Sequence, residues 1–247
     1  FNIDRDMGVQ FRNKVNFGAV ATRQALAISQ GEGRNRTNKN DPNPLNGFEY
    51  TGRLEILPLG EFTGKGDYFS SDLKREETPK VSFGVTYDIN KNAARAGGNL
   101  GSYIEDANDE VIDSVLTDLN TVLADVLFKY KGFSLLAEYA NKSMTEGRIE
   151  GAGGSIINNY YTGAGINVQA GYLRKNNLEP SIRLTKITPE LESGRDLQEM
   201  ITFGLSKYIK GHSLKVQTDF SFLTETNQVS LTEDKTMMFR FQVEMGF

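Results

Sequence analysis

Hydrophobic and polar residues alternate along the C-terminal segment of this chain. The hydrophobic positions are Met237, Phe239, Phe241, Val243, Met245 and Phe247. Most of the residues between them are polar, among them Arg240, Gln242 and Glu244. Successive side chains of a β-strand point to opposite faces of a sheet, so this period of two predicts a strand with one apolar face and one polar face.

The same alternation recurs upstream and predicts about eleven strands in an all-β chain. In one of them, Val81, Phe83 and Val85 alternate with Ser82 and Gly84. The predicted strands cover residues 7–15, 19–29, 47–57, 79–89, 122–131, 133–142, 161–173, 178–187, 198–209, 212–223 and 235–247. Most have about 9 to 12 residues, the length that a tilted strand needs to cross the core of a bilayer.

The connections between these strands alternate between short and long. Short links are predicted at 16–18, 131–132, 174–177 and 210–211, and long polar links at 31–46, 90–121, 143–160, 188–197 and 224–234. The link at 57–78 is an exception, because its length breaks the short series. Short turns on one side and long loops on the other are typical of bacterial outer-membrane barrels. We therefore predict an antiparallel transmembrane β-barrel with its short turns in the periplasm.

The last strand sets the direction of the whole chain. It follows a long external loop, so it runs inward and leaves the C-terminus facing the periplasm. Counting back, the first strand begins outside, whereas bacterial single-chain barrels normally have an even number of strands and both ends in the periplasm. We therefore expect further strands before Phe1.

One segment departs from strand-like alternation. Within residues 103–124, Val115, Leu119 and Val122 have helical spacing, and acidic residues crowd the N-terminal part of the segment. This pattern predicts a short helix inserted in the external loop 90–121, where it would pack on the mouth of the barrel.

Composition restricts the chemistry that the chain can perform. The chain has 247 residues, a formal net charge of −4, no cysteine and a single histidine, His212. No apolar run reaches the roughly 18 residues that a membrane-spanning helix requires. We expect no disulfide, no metal site and no cofactor, and His212 has no recognisable Ser or Asp partner for catalysis. The acidic balance argues against nucleic acid as a partner.

Several stretches of sequence resemble the phosphate-selective porin O/P family, in particular its Bacteroidetes members. The stretches are FNIDRDMGVQ at residues 1–10, GKGDYF at 64–69, KREETPK at 74–80, FKYKGF at 128–133 and FRFQVEMGF at 239–247. The resemblance covers nearly all of this chain but only the later part of a family member. It implies a barrel of about sixteen strands that assembles as a trimer, with basic residues that attract phosphate.

Basic residues at polar positions of the predicted strands are the candidate pore-lining residues. They are Arg12, Lys14, Arg53, Lys80, Lys129, Arg183, Lys215 and Arg240. Acidic residues on the same face nearly balance them, among them Glu49, Glu55, Asp88, Glu138, Asp219 and Glu244. Two interpretations remain open: a network of ion pairs across a wet lumen, or a basic ladder that concentrates anions in the pore.

Together these features predict an outer-membrane porin, not an enzyme, through which small solutes or anions diffuse passively. Phosphate is the solute that the resemblance implies. The expected partners are outer-membrane lipid, further copies of the chain in a homotrimer, and the solutes that pass. An alternative is a structural or interaction barrel within a larger envelope assembly, which the long loop 90–121 motivates. A second basic cluster, Arg34, Arg36 and Lys39, lies in the first long loop.

Overall fold

The computed structural model of this chain describes residues 6–33, 47–93, 95–98, 101, 116–145 and 160–246. Eleven antiparallel strands form one sheet, in which each strand is hydrogen-bonded to its neighbours in sequence. They are β1 (Gly8–Phe17), β2 (Val20–Ser29), β3 (Glu49–Leu57), β4 (Lys80–Ala93), β5 (Thr117–Tyr130), β6 (Phe133–Met144), β7 (Gly163–Tyr172), β8 (Leu178–Pro189), β9 (Leu197–Lys210), β10 (Leu214–Thr226) and β11 (Glu233–Met245). The predicted all-β antiparallel class, with about eleven strands in this chain, is confirmed.

The connections give the sheet two different ends. We call the end with the short connections, residues 18–19, 131–132, 173–177 and 211–213, the turn end. The opposite end, where the long connections lie, is the loop end. At one of the tightest turns, Lys131 and Gly132 both have positive φ, 48° and 89°, as a two-residue type I′ turn requires. The connection between β3 and β4 is long although it begins and ends at the turn end.

The two faces of the sheet differ in polarity, and the polar face is the more buried one. Along β4, Phe83, Val85 and Tyr87 are about half exposed, whereas Thr86 and Asp88 are 6% and 2% exposed. Residues that pair across neighbouring strands point to the same face, so each face consists of rows of paired residues that run across the sheet. One row of the apolar face contains Val81, Phe128, Leu135, Ala170, Ile182, Phe203, Phe220 and Phe239. A water-soluble domain buries most of its large apolar side chains, so this sheet has the opposite arrangement.

The connection between β3 and β4, residues 58–79, folds back over the polar face near the turn end, and we call it the insertion. Its carbonyl groups at Gly66, Phe69 and Ser71 accept hydrogen bonds from Lys129 Nζ at 2.7, 2.6 and 2.7 Å. A charged donor that serves three carbonyls fixes the insertion firmly to β5.

Apolar side chains on the polar face form two small clusters, one at each end. The cluster at the turn end is Ala21, Leu57, Phe62 and Leu127, and Phe62 belongs to the insertion. The cluster at the loop end is Ala93, Ala96, Leu119 and Tyr160. Burial of this apolar surface anchors the neighbouring connections to the sheet, so both ends of the polar face are partly covered.

The predicted helix at 103–124 is wrong for its C-terminal part. Residues 117–124 belong to β5, where Leu119 pairs with both Asn90 and Met144. Hydrogen-bonded strands on both sides outweigh the helical spacing, because tertiary context overrides local propensity. Residues 102–115 lie outside the described part of the chain. Within that part, no helix is both long enough and apolar enough to cross a membrane.

Candidate functional site

The structure places all of the predicted pore-lining cations on the polar face of the sheet. Lys80 pairs with Lys129, and the same cross-strand row continues to Arg240 on β11. Arg12 and Arg53 lie in another row of this face. The alternation of hydrophobic and polar residues therefore predicted that these side chains share one face of the sheet. Their hydrogen-bonding and ion-pair partners depend on the strand register and on the insertion.

Four of these cations form ion pairs with carboxylates of the sheet or of the insertion. The pairs are Lys14–Glu61 at 2.5 Å, Arg53–Asp125 at 2.7 Å, Lys215–Glu244 at 2.8 Å and Arg240–Asp219 at 3.1 Å. Glu61 lies in the insertion, and the hydrogen bond from Lys14 lowers the pKa of its carboxyl group. A paired cation offers a solute both donors and acceptors instead of an unbalanced positive charge. These contacts favour the ion-pair interpretation of the wall.

Lys80 and Lys129 both donate hydrogen bonds to the insertion. Lys129 is 1% exposed, and its three hydrogen bonds all go to carbonyl groups of the insertion. Lys80 Nζ donates to the carbonyl of Leu59, also in the insertion, at 2.8 Å. This differs from the predicted pore-lining role of the two lysines. The reason is the path of residues 58–79, which strand alternation cannot predict.

Arg12 and Arg183 bond to glutamine side chains. Arg12 Nε donates to Gln10 Oε1 at 2.5 Å, and Arg183 donates through Nε and Nη2 to Gln169 Oε1 at 2.9 and 2.6 Å. Both arginines are exposed, and neither forms an ion pair with a residue that the structure describes. Of the predicted cations that form no ion pair with a described residue, these two are exposed, whereas Lys80 is half-buried and Lys129 is buried.

Arg23 is the centre of a charge network that joins β2, β3 and the insertion, and sequence reasoning missed it. Its guanidinium lies 2.8 Å from Glu55, 2.5 Å from Asp67 and 3.4 Å from Glu61. It also lies 6.0 Å from the ring centroid of Tyr68. The alternation of β2 is weak, because alanines occupy the polar face, whereas Thr22 and Gln24 occupy the apolar face, so the sequence did not single out Arg23.

Arg53 reaches across β4 to bond Asp125 on β5. Its Nη1 and Nη2 atoms lie 2.7 and 3.0 Å from the two carboxylate oxygens. Gly84 is the residue of β4 that lies between them. A Cβ atom at Gly84 would lie 2.5 and 2.6 Å from those oxygens and would also press on the guanidinium. The missing side chain at Gly84 therefore permits this two-pronged pair.

Two cavities lie on either side of the Arg53–Asp125 pair, and both residues line each of them. The larger cavity has a volume of about 750 Å³ and lies between β1–β3 and the insertion, where Arg23 and Tyr68 line it. The smaller cavity, of about 380 Å³, lies over β5–β8 beside Glu138. The polar face thus offers paired charged groups to water or to a small solute in both spaces.

A third cavity, of about 490 Å³, lies at the turn end between the insertion and His212. The His212 ring stacks on Phe69 of the insertion with centroids 4.1 Å apart, and it meets the Tyr208 ring edge-on at 5.6 Å. Burial, and secondly the charge of Lys215, lower the pKa of His212 from its ordinary value of 6.5. His212 is therefore neutral at pH 7, and its stack joins the insertion to the turn between β9 and β10.

Charged groups at the loop end are enclosed. Glu49, Asp88 and Lys142 are 3%, 2% and 5% exposed. Thr51 donates a hydrogen bond to Asp88 at 2.7 Å, and Lys142 donates to the carbonyl of Gly97 at 2.9 Å. Burial of a charged group is costly unless a charged or hydrogen-bonding partner compensates it, because the group has lost contact with water. Glu49, Asp88 and Lys142 support the loop segments and do not line the two cavities beside the Arg53–Asp125 pair.

The basic cluster Arg34, Arg36 and Lys39 lies outside the described residues. Among the residues that are described, no group of three or more His, Cys, Asp or Glu side chains is placed to hold a metal ion.

Comparison with known proteins adds no neighbour to this description. No family model, no curated protein and no solved structure matches the chain. Functional interpretation therefore depends on the geometry: an exposed apolar face, and an opposite face that carries paired charges around open cavities. Chemically, such a polar face can bind or pass small polar solutes.

Proposed function

We propose that this chain forms part of the wall of an outer-membrane β-barrel and lines its water-filled lumen, through which small polar solutes diffuse passively. The observation that carries the proposal is the inverted polarity of the sheet. Phe203 and Phe239 are 51% and 67% exposed on the apolar face, whereas Thr202 and Ser221 on the polar face are 7% and 1% exposed. Lipid tails would cover the apolar face, and the polar face would line the pore.

The dimensions of the apolar face support this proposal. Outward side chains from Val81 to Ile89 extend about 26 Å along β4, which at a tilt of about 40° covers about 20 Å of the roughly 25 Å apolar band of membrane barrels. Exposed aromatic rings flank the band, with Phe133 and Tyr172 at the turn end and Tyr50 at the loop end. Aromatic rings favour the level of the lipid headgroups.

The proposed barrel includes strands beyond those described. In the described residues, β1 and β11 each pair with one strand only. An open sheet edge within lipid leaves backbone groups without hydrogen bonds, so a spanning barrel must be closed. The resemblance to the phosphate-selective porin family adds the proposal of about sixteen strands, a homotrimer and a bacterial outer membrane.

A modest preference for anions is the finer part of the proposal. Ion pairing neutralises Lys14, Arg53, Lys215 and Arg240. The exposed Arg12 and Arg183 remain to attract anions such as phosphate. Two cations raise the local anion concentration less than a continuous basic ladder would.

Planar lipid bilayers test this function directly. The intact protein is expected to conduct ions, and a salt gradient should give a reversal potential that indicates a small excess of anion current. Replacing Arg12 and Arg183 together with glutamine should move that potential toward cations, whereas Lys207→Gln should not, because Lys207 lies on the apolar face. A purified protein that conducts no ions would contradict the proposal.

A second candidate function is a structural or interaction barrel in a larger envelope assembly. The observation that favours it is the packing of connections on the polar face at both ends, around Phe62 and around Tyr160. This function predicts no ion conductance together with co-purification of a different envelope protein. Recovery of the homo-oligomer alone would count against it.

A further inference from the structure

An exposed aromatic ring stands beside the charge network in the larger cavity. Tyr68 closes the short 3-10 turn Gly66–Tyr68 of the insertion, and 71% of its side chain is exposed. It lines the same cavity as Arg23, Arg53 and Asp125. The ring therefore places a flat apolar surface beside the hydrogen-bonding groups of the cavity wall.

Most of the charged groups in the lining of this cavity are neutralised by one another, and only Arg12 and Lys65 form no ion pair with a described residue. The pairs are Lys14–Glu61, Arg23–Glu55, Arg23–Asp67 and Arg53–Asp125. A solute anion would have to compete with these carboxylates for the same guanidinium and ammonium groups. A neutral solute with many hydroxyl groups can bind without separating these pairs, because a hydroxyl accepts from the cation and donates to the carboxylate of the same pair.

We infer that the cavity between β1–β3 and the insertion binds neutral polyhydroxylated solutes of the pyranose class, with Tyr68 as their stacking surface. A pyranose ring has an apolar face of C–H groups, which fits an aromatic ring, and a rim of hydroxyl groups, which fits the paired charges. The volume of about 750 Å³ lies within the range of roughly 300–1,000 Å³ that is usual for small-molecule sites. This inference rests on the proposed channel and names a solute class for it.

Reduction of the ion current by a sugar tests the inference. The intact protein is reconstituted in planar bilayers, and current is measured in potassium chloride as maltotriose is added. Current should fall with maltotriose concentration in the unmodified protein and in Tyr68→Phe, which keeps the ring. Tyr68→Ala should weaken the apparent affinity about tenfold, because it removes the stacking surface. Tyr172→Ala is the matched control, since Tyr172 is an exposed ring on the opposite face.

The possible results separate this inference from the function on which it rests. An unmodified protein that conducts ions but whose current is unaffected by maltotriose would overturn the pyranose site and leave the channel standing. Equal reduction of current in Tyr68→Ala and the unmodified protein would overturn the role of Tyr68. A protein without any conductance would overturn the channel itself, and the inference with it.

Discussion

Gly84 determines whether Arg53 can reach Asp125 across β4. We expect Gly84→Ala to separate this ion pair, because the added methyl group would lie 2.5 Å from a carboxylate oxygen. The atoms that the methyl group would meet are the ends of two flexible side chains, which can move apart, so we expect a cost of about 0–1 kcal/mol from the lost ion pair. The measurements are the free energy of unfolding in urea with lipid vesicles, and the single-channel conductance, which should change although no charge is removed.

Gly52→Ala provides the matched control on the neighbouring strand. A Cβ atom at Gly52 would meet only Leu26 Cδ2, at an ordinary contact distance of 3.6 Å. Stability and conductance should remain close to those of the unmodified protein. Equal effects of the two substitutions would contradict the role given to Gly84.

Lys129 is the residue on which attachment of the insertion depends most. Lys129→Met would leave three carbonyl groups without their donor, and each buried acceptor without a partner costs about 1–3 kcal/mol. We expect a loss of about 3 kcal/mol or more in unfolding free energy and faster proteolysis within residues 58–79. Lys80→Met should have a smaller effect, because Lys80 serves one carbonyl. The reverse order would contradict this account.

At the residue scale, the sequence predicted the face of a side chain but not its partner. Period-two alternation placed Arg53 and Lys129 on the same polar surface, because strand geometry alone fixes that property. It could not predict that Arg53 pairs with Asp125 two strands away or that Lys129 lies beneath the insertion. Both facts depend on contacts between residues far apart in sequence.

At the scale of elements, the sequence predicted that the connection between β3 and β4 is unusually long, but not that it folds over the polar face as the insertion. Its stack on His212 makes its attachment depend on pH. The pKa of His212 is lowered in the folded protein, so the stabilising effect is complete above the ordinary value of 6.5 and is lost as the pH falls. Lys215 and Lys129 oppose protonation of His212 and Glu244 favours it. We expect proteolysis of residues 58–79 to accelerate below pH 6.5.

His212→Phe separates this effect from general acid denaturation. Phenylalanine keeps a ring against Phe69 but cannot be protonated. The acceleration of proteolysis below pH 6.5 should largely disappear in this variant. If it persists unchanged, another group controls the attachment of the insertion.

Strand β5 is the strand whose N-terminal part the local sequence pattern failed to predict. Leu119 and Val122 suit one face of a helix, yet both lie in β5, with Leu119 on the polar face beside Tyr160. The strand extends further toward the loop end than predicted because β4 and β6 supply hydrogen-bonding partners there. The other strands were predicted to within a few residues.

At the scale of the whole molecule, the central feature is a sheet whose apolar face is more exposed than its polar face. Adjacent residues of β7 offer a matched pair of substitutions, because Val168 faces outward and Asn167 faces the polar side beside Glu138. In lipid vesicles, Val168→Lys should lower the unfolding free energy by about 2–4 kcal/mol. Asn167→Lys should cost less, since its ammonium group can pair with Glu138. Equal costs would contradict the assignment of faces.

The order of the strands and the sidedness of their connections followed from the sequence, because a meander of hairpins needs only local signals. The course of the insertion and the position of the cavities did not. They depend on long-range packing, such as that of Phe62 against Leu57 and Leu127.

Thiol labelling along β7 tests the central claim most directly. The chain has no cysteine, so single cysteines at positions 166, 167, 168 and 169 can each be labelled without interference. With the intact protein in lipid vesicles, a membrane-impermeant thiol reagent should label positions 167 and 169, and brominated lipid should quench a fluorophore at 166 and 168. Equal labelling at all four positions, or labelling of 166 and 168 alone, would contradict a lipid-facing apolar surface.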